Sequence, residues 1–413
     1  MKVKDSGVSY IGNIPISWYT KKIKYVAVEC SENGLMNPKE SQYIGLENIV
    51  GYSNRIIITN TEYELSIQKR CYKDNILFGK LRPYLSKVVI APYDGFCTGE
   101  FLELTKYKGD IRFLRYSLLN ANLVDTINMS TYGAKMPRAN SEFIMNCYIA
   151  YPTYNEQKII SDFLDTKCEE IEALSMDIQA EIDTLEEYKC SIITEKVKKG
   201  LNLDVTMKDS RIEWIGMIPS SWSIHPVYHY FEERKARNYD LKEQNLLSLS
   251  YGKIIRKDIN ASGGLLPANF STYNIVEAGD IIIRSTDLQN DKRSLRTGLV
   301  TEHGIITSAY IDLMPKSGVN SKYFHYLLHA YDIMKVFYNM GNGVRQGLNY
   351  SEFSKLRVIA PSREEQQEIV DYLDNKCEQI DSIIETKKEQ LTVLDEYKKA
   401  IIYEYVTGKK EVV

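Results

Sequence analysis

Between Glu156 and Lys198 an apolar residue returns at every seventh position: Leu164, Ile171, Ile178, Leu185 and Ile192. Charged side chains fill the intervals, and Leu174, Ile182 and Tyr188 widen the stripe. The same lattice reappears near the end of the chain as Leu373, Ile380, Leu394 and Ile401, beside Ile383, Leu391 and Tyr397, with Lys387 standing where Ile178 stood. A sustained heptad with charges between predicts long helices that pack as a coiled coil. Neither segment holds Gly or Pro inside the pattern, and Lys199-Gly200 and Gly408 are reasonable stops. Each helix would run roughly 65 Å at 1.5 Å per residue. That is too long to be buried on one small domain, so each helix needs a partner. The other copy supplies one: two helices related by a pseudo-two-fold axis would pack antiparallel, which brings the end of the chain back to its beginning. Pairing with a second subunit is the alternative.

Outside these segments the pattern is shorter and mixed. YIGLENI (43–49), NILFGKL (75–81), KVVIA (87–91) and FLELT (101–105) read as strands, and FLRYSLLNANLVDTIN (113–128) as an amphipathic helix. In the second half LLSLS (246–250), DIIIRS (280–285), GLVTE (298–302) and AYIDLM (309–314) read as strands, and KYFHYLLHAYDIMKVFYN (322–339) as a helix. The order is the same because the chain repeats itself. DSGVSYIGNIPISW (5–18) returns as DSRIEWIGMIPSSW (209–222), with eight of fourteen positions identical. From Glu156 to Lys198, eighteen of forty-three positions match those 209 residues later. Such self-similarity fixes the plan: two copies of one unit. The fold class is therefore α+β, two mixed α/β domains in tandem joined by two long antiparallel coiled-coil helices. The loops are not repeated. TYGAKMPRANSEF (131–143) stands opposite GNGVRQGLNYSEF (341–353), sharing little beyond a glycine and SEF. A duplicated frame with divergent loops suggests two similar targets that differ in detail.

The 413 residues carry a net charge of −3, which argues against a nucleic-acid binder until it is divided along the chain. Lys and Arg exceed Asp and Glu by five in residues 1–150 and by three in 209–360; the acids lead by six in 151–208 and by five in 361–413. Each half is a mildly basic block followed by an acidic helix. No apolar run approaches a membrane span, and MKVKDSGVSY lacks the apolar core of a signal peptide, so a cytoplasmic location is expected. The seven cysteines are scattered, with no CxxC pair, which speaks against a disulfide framework or a zinc ribbon. His225/His229 and His325/His329 have an i, i+4 spacing but no further ligand nearby, and read as structural. No metal site is expected.

The segment before each tryptophan, the YIGLENI and ILFGKLRPYL stretches, the P-x-x-x-EQ opening of each long helix and the tandem layout together resemble the specificity subunits of Type I restriction–modification systems. The resemblance covers essentially the whole chain. It implies a target recognition domain at 1–152, a central spacer helix at 153–204, a second target recognition domain at 205–361 and a distal spacer helix at 362–413. Each domain would read one half of a bipartite, asymmetric site in double-stranded DNA. The helices would set the gap and dock methyltransferase subunits, two in number, to which restriction/translocase subunits are added. The subunit itself would be non-catalytic, with S-adenosylmethionine, ATP and Mg held by its partners and no cofactor of its own.

The residues agree with that assignment. No G-x-G-x-x-G, NPPY or G-x-x-x-x-G-K-[ST] stretch is present, NPKE (37–40) being the nearest fragment. Reading bases needs Arg, Lys, Asn and Gln on loops, with cations for phosphates. In the first block the candidates are Lys80, Arg82 and Tyr84 in FGKLRPY, then Lys135 and Arg138, with Gly79 and Gly133 letting backbone approach phosphates. Glu47 and Asn48 are lesser candidates. In the second block they are Arg284, Ser285, Gln289, Asn290, Arg293 and Arg296, then Asn342, Arg345 and Gln346. For any one of these a solvated surface role is the default; the loops taken together favour DNA. The rival class is a coiled-coil protein-interaction adaptor without DNA specificity.

Overall fold

The four-stranded sheet under the helices has the same strand order in both halves of the chain. The structure, a computed structural model, describes residues 2–37, 41–57, 65–133, 135–202, 204–260, 269–286, 295–340 and 347–412, with backbone alone at 338 and 339. It divides into two units: Met1–Gln179 with Lys387–Val413, and Ala180–Thr386. Both divisions fall inside the long helices.

In the first unit an antiparallel sheet runs Val28–Cys30, Phe101–Thr105, Ile76–Gly79, Val88–Ile90. Strand side chains alternate between faces. Ile76, Phe78, Leu102 and Leu104 therefore meet helices α1 (Ile111–Leu118) and α2 (Ala121–Met129), while Leu77, Val89 and Phe101 join Ile44, Cys71 and Cys97 in a second core. The sequence predicted a single helix at 113–128. It is two, because Asn120 accepts a hydrogen bond from the Asn122 amide and starts a new helix. Helix α3 (Ser141–Asn146) precedes strand Tyr148–Tyr151, which pairs with Tyr19–Lys22 just after Trp18. Helix α4 (Tyr154–Lys199) follows.

The second unit repeats the sheet as Phe231–Glu233, Ile311–Pro315, Ile281–Ile283, Thr297–Leu299. Helix α5 (Ser321–Ile333) covers it, and stops where Lys335 turns left-handed, short of the expected 339. Helix α6 (Tyr350–Phe353) leads to strand Arg357–Ala360, paired with Ser223–Pro226, and then to α7 (Arg363–Val406).

The duplicated motifs are the joints of this frame. Trp18 donates its indole N–H to Glu156 at 3.1 Å, and Trp222 donates to Glu365 at 3.0 Å. The neighbouring glutamines are buried, and their amides donate to the Pro152 and Pro361 carbonyls. Thr153 and Ser362 cap the helix starts. Gly200 and Gly408 end the helices with positive φ; a Cβ on Gly408 would lie 2.5 Å from Pro15, and one on Gly200 would lie 3.3 Å from the Trp222 ring.

Within the first unit the beginning of α4 packs against the end of α7. Phe163 meets Tyr405, Glu172 pairs with Lys398 at 2.6 Å, and Leu164, Ile171 and Ile401 are buried together. Rising numbers face falling ones, so the pair is antiparallel. Lys409 returns to the Ile11 and Asn13 carbonyls, so the chain end lies on the opening motif. In the second unit the end of α4 meets the beginning of α7: Lys189 pairs with Asp381 at 2.6 Å, and Ile193 and Val197 share a core with Ile369 and Leu373. Ile178, Ile192 and Ile380 are also buried, and Leu185 and Leu394 are half-buried. The seam is narrower than the sequence suggested. Ile182 is buried, but Leu174, Tyr188, Ile383 and Tyr397 are exposed.

Candidate nucleic-acid interface

In the first unit strand Ile76–Gly79 runs out into Lys80-Leu81-Arg82-Pro83-Tyr84. Arg82 and Ser86 both take the left-handed conformation, at φ 52° and 48°, bracketing a short 3-10 turn that starts at Pro83. A bulky residue with positive φ marks a conformation imposed by its surroundings. Here the surroundings are the second predicted loop. The Arg82 amide donates to the Pro137 carbonyl at 2.7 Å, and the Ala139 amide donates to the Lys80 carbonyl at 3.0 Å. Tyr132 and Arg138 exchange backbone bonds at 3.3 and 3.1 Å. Two stretches more than fifty positions apart thus form one surface, with Arg82, Tyr84, Lys135 and Arg138 exposed on it.

Charge on this surface is only partly balanced. Arg138 pairs with Glu100, whose carbonyl also accepts from the Lys80 amide at 2.9 Å. Lys80 is half-buried; burial, with Lys69 nearby, holds its ammonium below the usual lysine range, and Glu100 opposes the shift. An anion placed here would relieve that cost. Glu47 is exposed. Asn48 is buried, its side chain accepting from the Gly45 amide and donating to the Ile57 carbonyl, so it holds its own turn. Gly79 is also buried: a Cβ there would lie 3.0 Å from Leu46 and 3.3 Å from Lys87, so the glycine serves sheet packing rather than approach to phosphate. Gly133 is exposed with φ +90°.

The second unit has the same stitching with other residues. The Arg284 amide donates to the Arg296 carbonyl at 2.8 Å, and the Leu348 amide donates to the Ser285 carbonyl at 3.0 Å, where Ala139 met Lys80 in the first. Arg284 is half-buried and Ser285 buried. Arg296, expected at the surface, is 0% exposed. Its guanidinium donates to the Arg284 and Thr286 carbonyls and its amide to Asp332, so it braces the strand end from inside. Gln289, Asn290, Arg293, Asn342, Arg345 and Gln346 lie outside the described residues. Of the histidines, burial brings the His325 pKa down to about 3 and that of His329 to about 4, so both are neutral. The His225 and His229 rings stack at 4.3 Å.

Two exposed side chains beside Arg138, Tyr132 and Met136, were not singled out in the sequence. Their spacing carries no periodicity; only the backbone exchange with Arg138 puts them on this surface.

The family model described as the Type I restriction modification DNA specificity domain matches residues 12–184 and 249–393. The Type I restriction enzyme EcoDI specificity subunit of Escherichia coli is 28% identical over 92 residues, which are 22% of this chain and 20% of that protein. A solved structure, described as the structural basis of complex assembly and conformational transition of the type I R-M system, is similar with a TM-score of 0.68 at 16% identity, covering 96% of this chain and 99% of that one. At that identity the likeness is one of fold. An HsdS subunit from Thermoanaerobacter tengcongensis reaches a TM-score of 0.48 at 15% identity over 96% of this chain and 98% of that one, too low to add to the argument. The family model covers most of the chain and falls on both repeats, and on that ground the chain belongs to the Type I restriction modification DNA specificity domain family.

Proposed function

We propose that this chain is the DNA sequence-specificity subunit of a Type I restriction–modification complex. Each domain reads one half of a bipartite, asymmetric site, the paired helices set the separation of the halves, and catalysis belongs to the partners. S-adenosylmethionine, ATP and Mg belong to those partner subunits in this reading. The observation that carries it is the duplicated junction: the loop after Gly79 sewn to the loop before Ala139, and Ser285, just past Ile283, sewn to Leu348. The frame is the same and the loop sequences differ, which is what two readers of two different half-sites require.

Docking of methyltransferase subunits has its own support. Leu174 and Ile383 occupy equivalent repeat positions and are 49% and 46% exposed; Tyr188 and Tyr397 are equivalent too, at 52% each. Each unit carries one Tyr and one Leu or Ile beside an equivalent cross-helix ion pair, Lys398–Glu172 in the first and Lys189–Asp381 in the second. A surface kept exposed and apolar in duplicate suits one partner bound twice. The acidic helices around it would repel DNA and suit a protein with basic side chains.

The test is duplex binding by the full chain with its methyltransferase partner over a range of salt. Arg82→Ala should weaken binding and reduce the salt slope by about 1 if the side chain neutralises a phosphate. Unchanged binding after both Arg82→Ala and Lys80→Ala, with the partner still attached, would move the adaptor reading ahead.

A further inference from the structure

Strand Leu247–Ser250 turns directly into Lys253–Arg256, with Ser250 opposite Lys253. The loop is two residues, Tyr251-Gly252, with φ of 47° and 77°. Two positive φ values in a two-residue hairpin define a type I′ turn, whose favoured first residue is Asn, Asp or Gly. A tyrosine there holds an unfavourable backbone, and it leaves its ring 88% exposed. Neither the turn nor the core gains from this residue. Strain kept at an exposed position is an observation that asks for a function.

The hairpin beneath the ring is firmly held. Leu247 and Leu249 are buried, and Ile254 is packed against the small core with Ile282 and Val300. A Cβ on Gly298 would lie 2.6 Å from Leu249 and 2.8 Å from Ile254, so the strand below accepts the hairpin at close range. At its base Arg256 pairs with Glu302, and the Lys257 amide donates to the Leu246 carbonyl. The tip itself adjoins Leu295, which lies 3.1 Å from a Cβ built on Gly252. Leu295 sits between the Gln289, Asn290 and Arg293 stretch and the buried Arg296 brace. The hairpin tip therefore stands against Leu295, next to the strand that the buried Arg296 braces.

The first unit puts a short turn bearing the exposed Glu47 at the same place. Leu246 bridges Ile305 in parallel there, as Tyr43 pairs with Phe96 in the first. Five positions beyond Tyr43 is Asn48, next to the exposed Glu47; five beyond Leu246 is Tyr251. One unit fills this place with a short 3-10 turn, the other with a hairpin that carries an aromatic tip.

We propose that Tyr251 is a specificity-determining contact of the second domain, its ring carried by the hairpin into a groove of duplex DNA and set against a base pair. This rests on the reading of the second domain as a DNA reader. A two-stranded ribbon fits the major groove, and a tyrosine ring offers an apolar face with a hydroxyl at its edge.

The test uses the full chain in its host, with its methyltransferase partner, and reads the methylated motif together with binding of the cognate duplex. Tyr251→Asn supplies the residue an I′ turn prefers, so the protein should melt at or above the wild-type temperature. Specific binding should nonetheless fall by roughly tenfold, the order of one lost base contact. The motif should relax at one position of one half only. Tyr251→Phe separates ring from hydroxyl: retained specificity assigns the contact to the ring, and a loss equal to that of Tyr251→Asn assigns it to the hydroxyl. Unchanged motif and binding with Tyr251→Asn overturn the proposal and leave the second domain's role standing. A wild-type complex with no split motif and no sequence-specific binding removes the reading beneath it, and the proposal with it.

Discussion

At the scale of the residue, two arginines chosen for the same reason have opposite fates. Arg82 is exposed on a turn held by the Pro137 carbonyl; Arg296 is enclosed and spends its donors on backbone carbonyls. Truncating the first removes a surface charge, whereas altering the second strands polar groups in the interior. Arg82→Ala should leave the melting temperature within about a degree, since surface changes are usually within ±0.5 kcal/mol. Arg296→Met should cost about 3 kcal/mol or more, read by denaturant unfolding. Equal effects would mean that one of the two environments is misassigned. Residue type and spacing could not separate them, because burial depends on which loop returns over which strand. His303 gives a pH prediction. It lies 2.9 Å from both Glu277 and Glu243; the Glu277 hydrogen bond raises its pKa, against a smaller desolvation. A raised folded pKa stabilises fully below the unfolded value of about 6.5, and that stability is lost as pH rises through the folded value. The site is half open to water, so the effect is small. Between pH 6 and 9 the wild type should lose on the order of a degree of melting temperature that His303→Gln does not lose, as differential calorimetry would show.

At the scale of the element, the long helices were the most legible part of the sequence. All nine heptad residues sit at buried or half-buried positions because a seven-residue repeat keeps one stripe facing its neighbour over many turns. Leu164→Ala and Leu373→Ala, both at fully buried sites, should each cost about 2–5 kcal/mol. The flanking residues were misjudged for a physical reason. One neighbouring helix covers a narrow seam, so Leu174, Tyr188, Ile383 and Tyr397 fall at its edge and stay wet. Changing Tyr188 and Tyr397 together to Ser should leave the melting temperature nearly unchanged and weaken methyltransferase association, measured by co-purification. Short elements were less legible. Capping by Asn120 split one expected helix, and left-handed Lys335 cut another. The two-residue turn at Tyr251 was hidden because its sequence lacks the Asn-Gly that usually announces one.

At the scale of the whole molecule, duplication was plain in the sequence, and the divergent loops already suggested two similar targets that differ in detail. The repeated motifs are the joints: Trp18 to Glu156 and Trp222 to Glu365, with a left-handed glycine closing each helix. What varies lies at the loop junctions, whose shape depends on pairings across more than fifty residues. In the proposed function each half reads its own half-site. The most direct measurement is the methylation map of host DNA after residues 20–150 are replaced by those of a relative with a different motif. One split motif is expected in the parent, with only one of its halves changed in the exchange while the gap and the other half are retained. A motif altered in both halves, or no motif that depends on this chain while its methyltransferase partner is active, would contradict it.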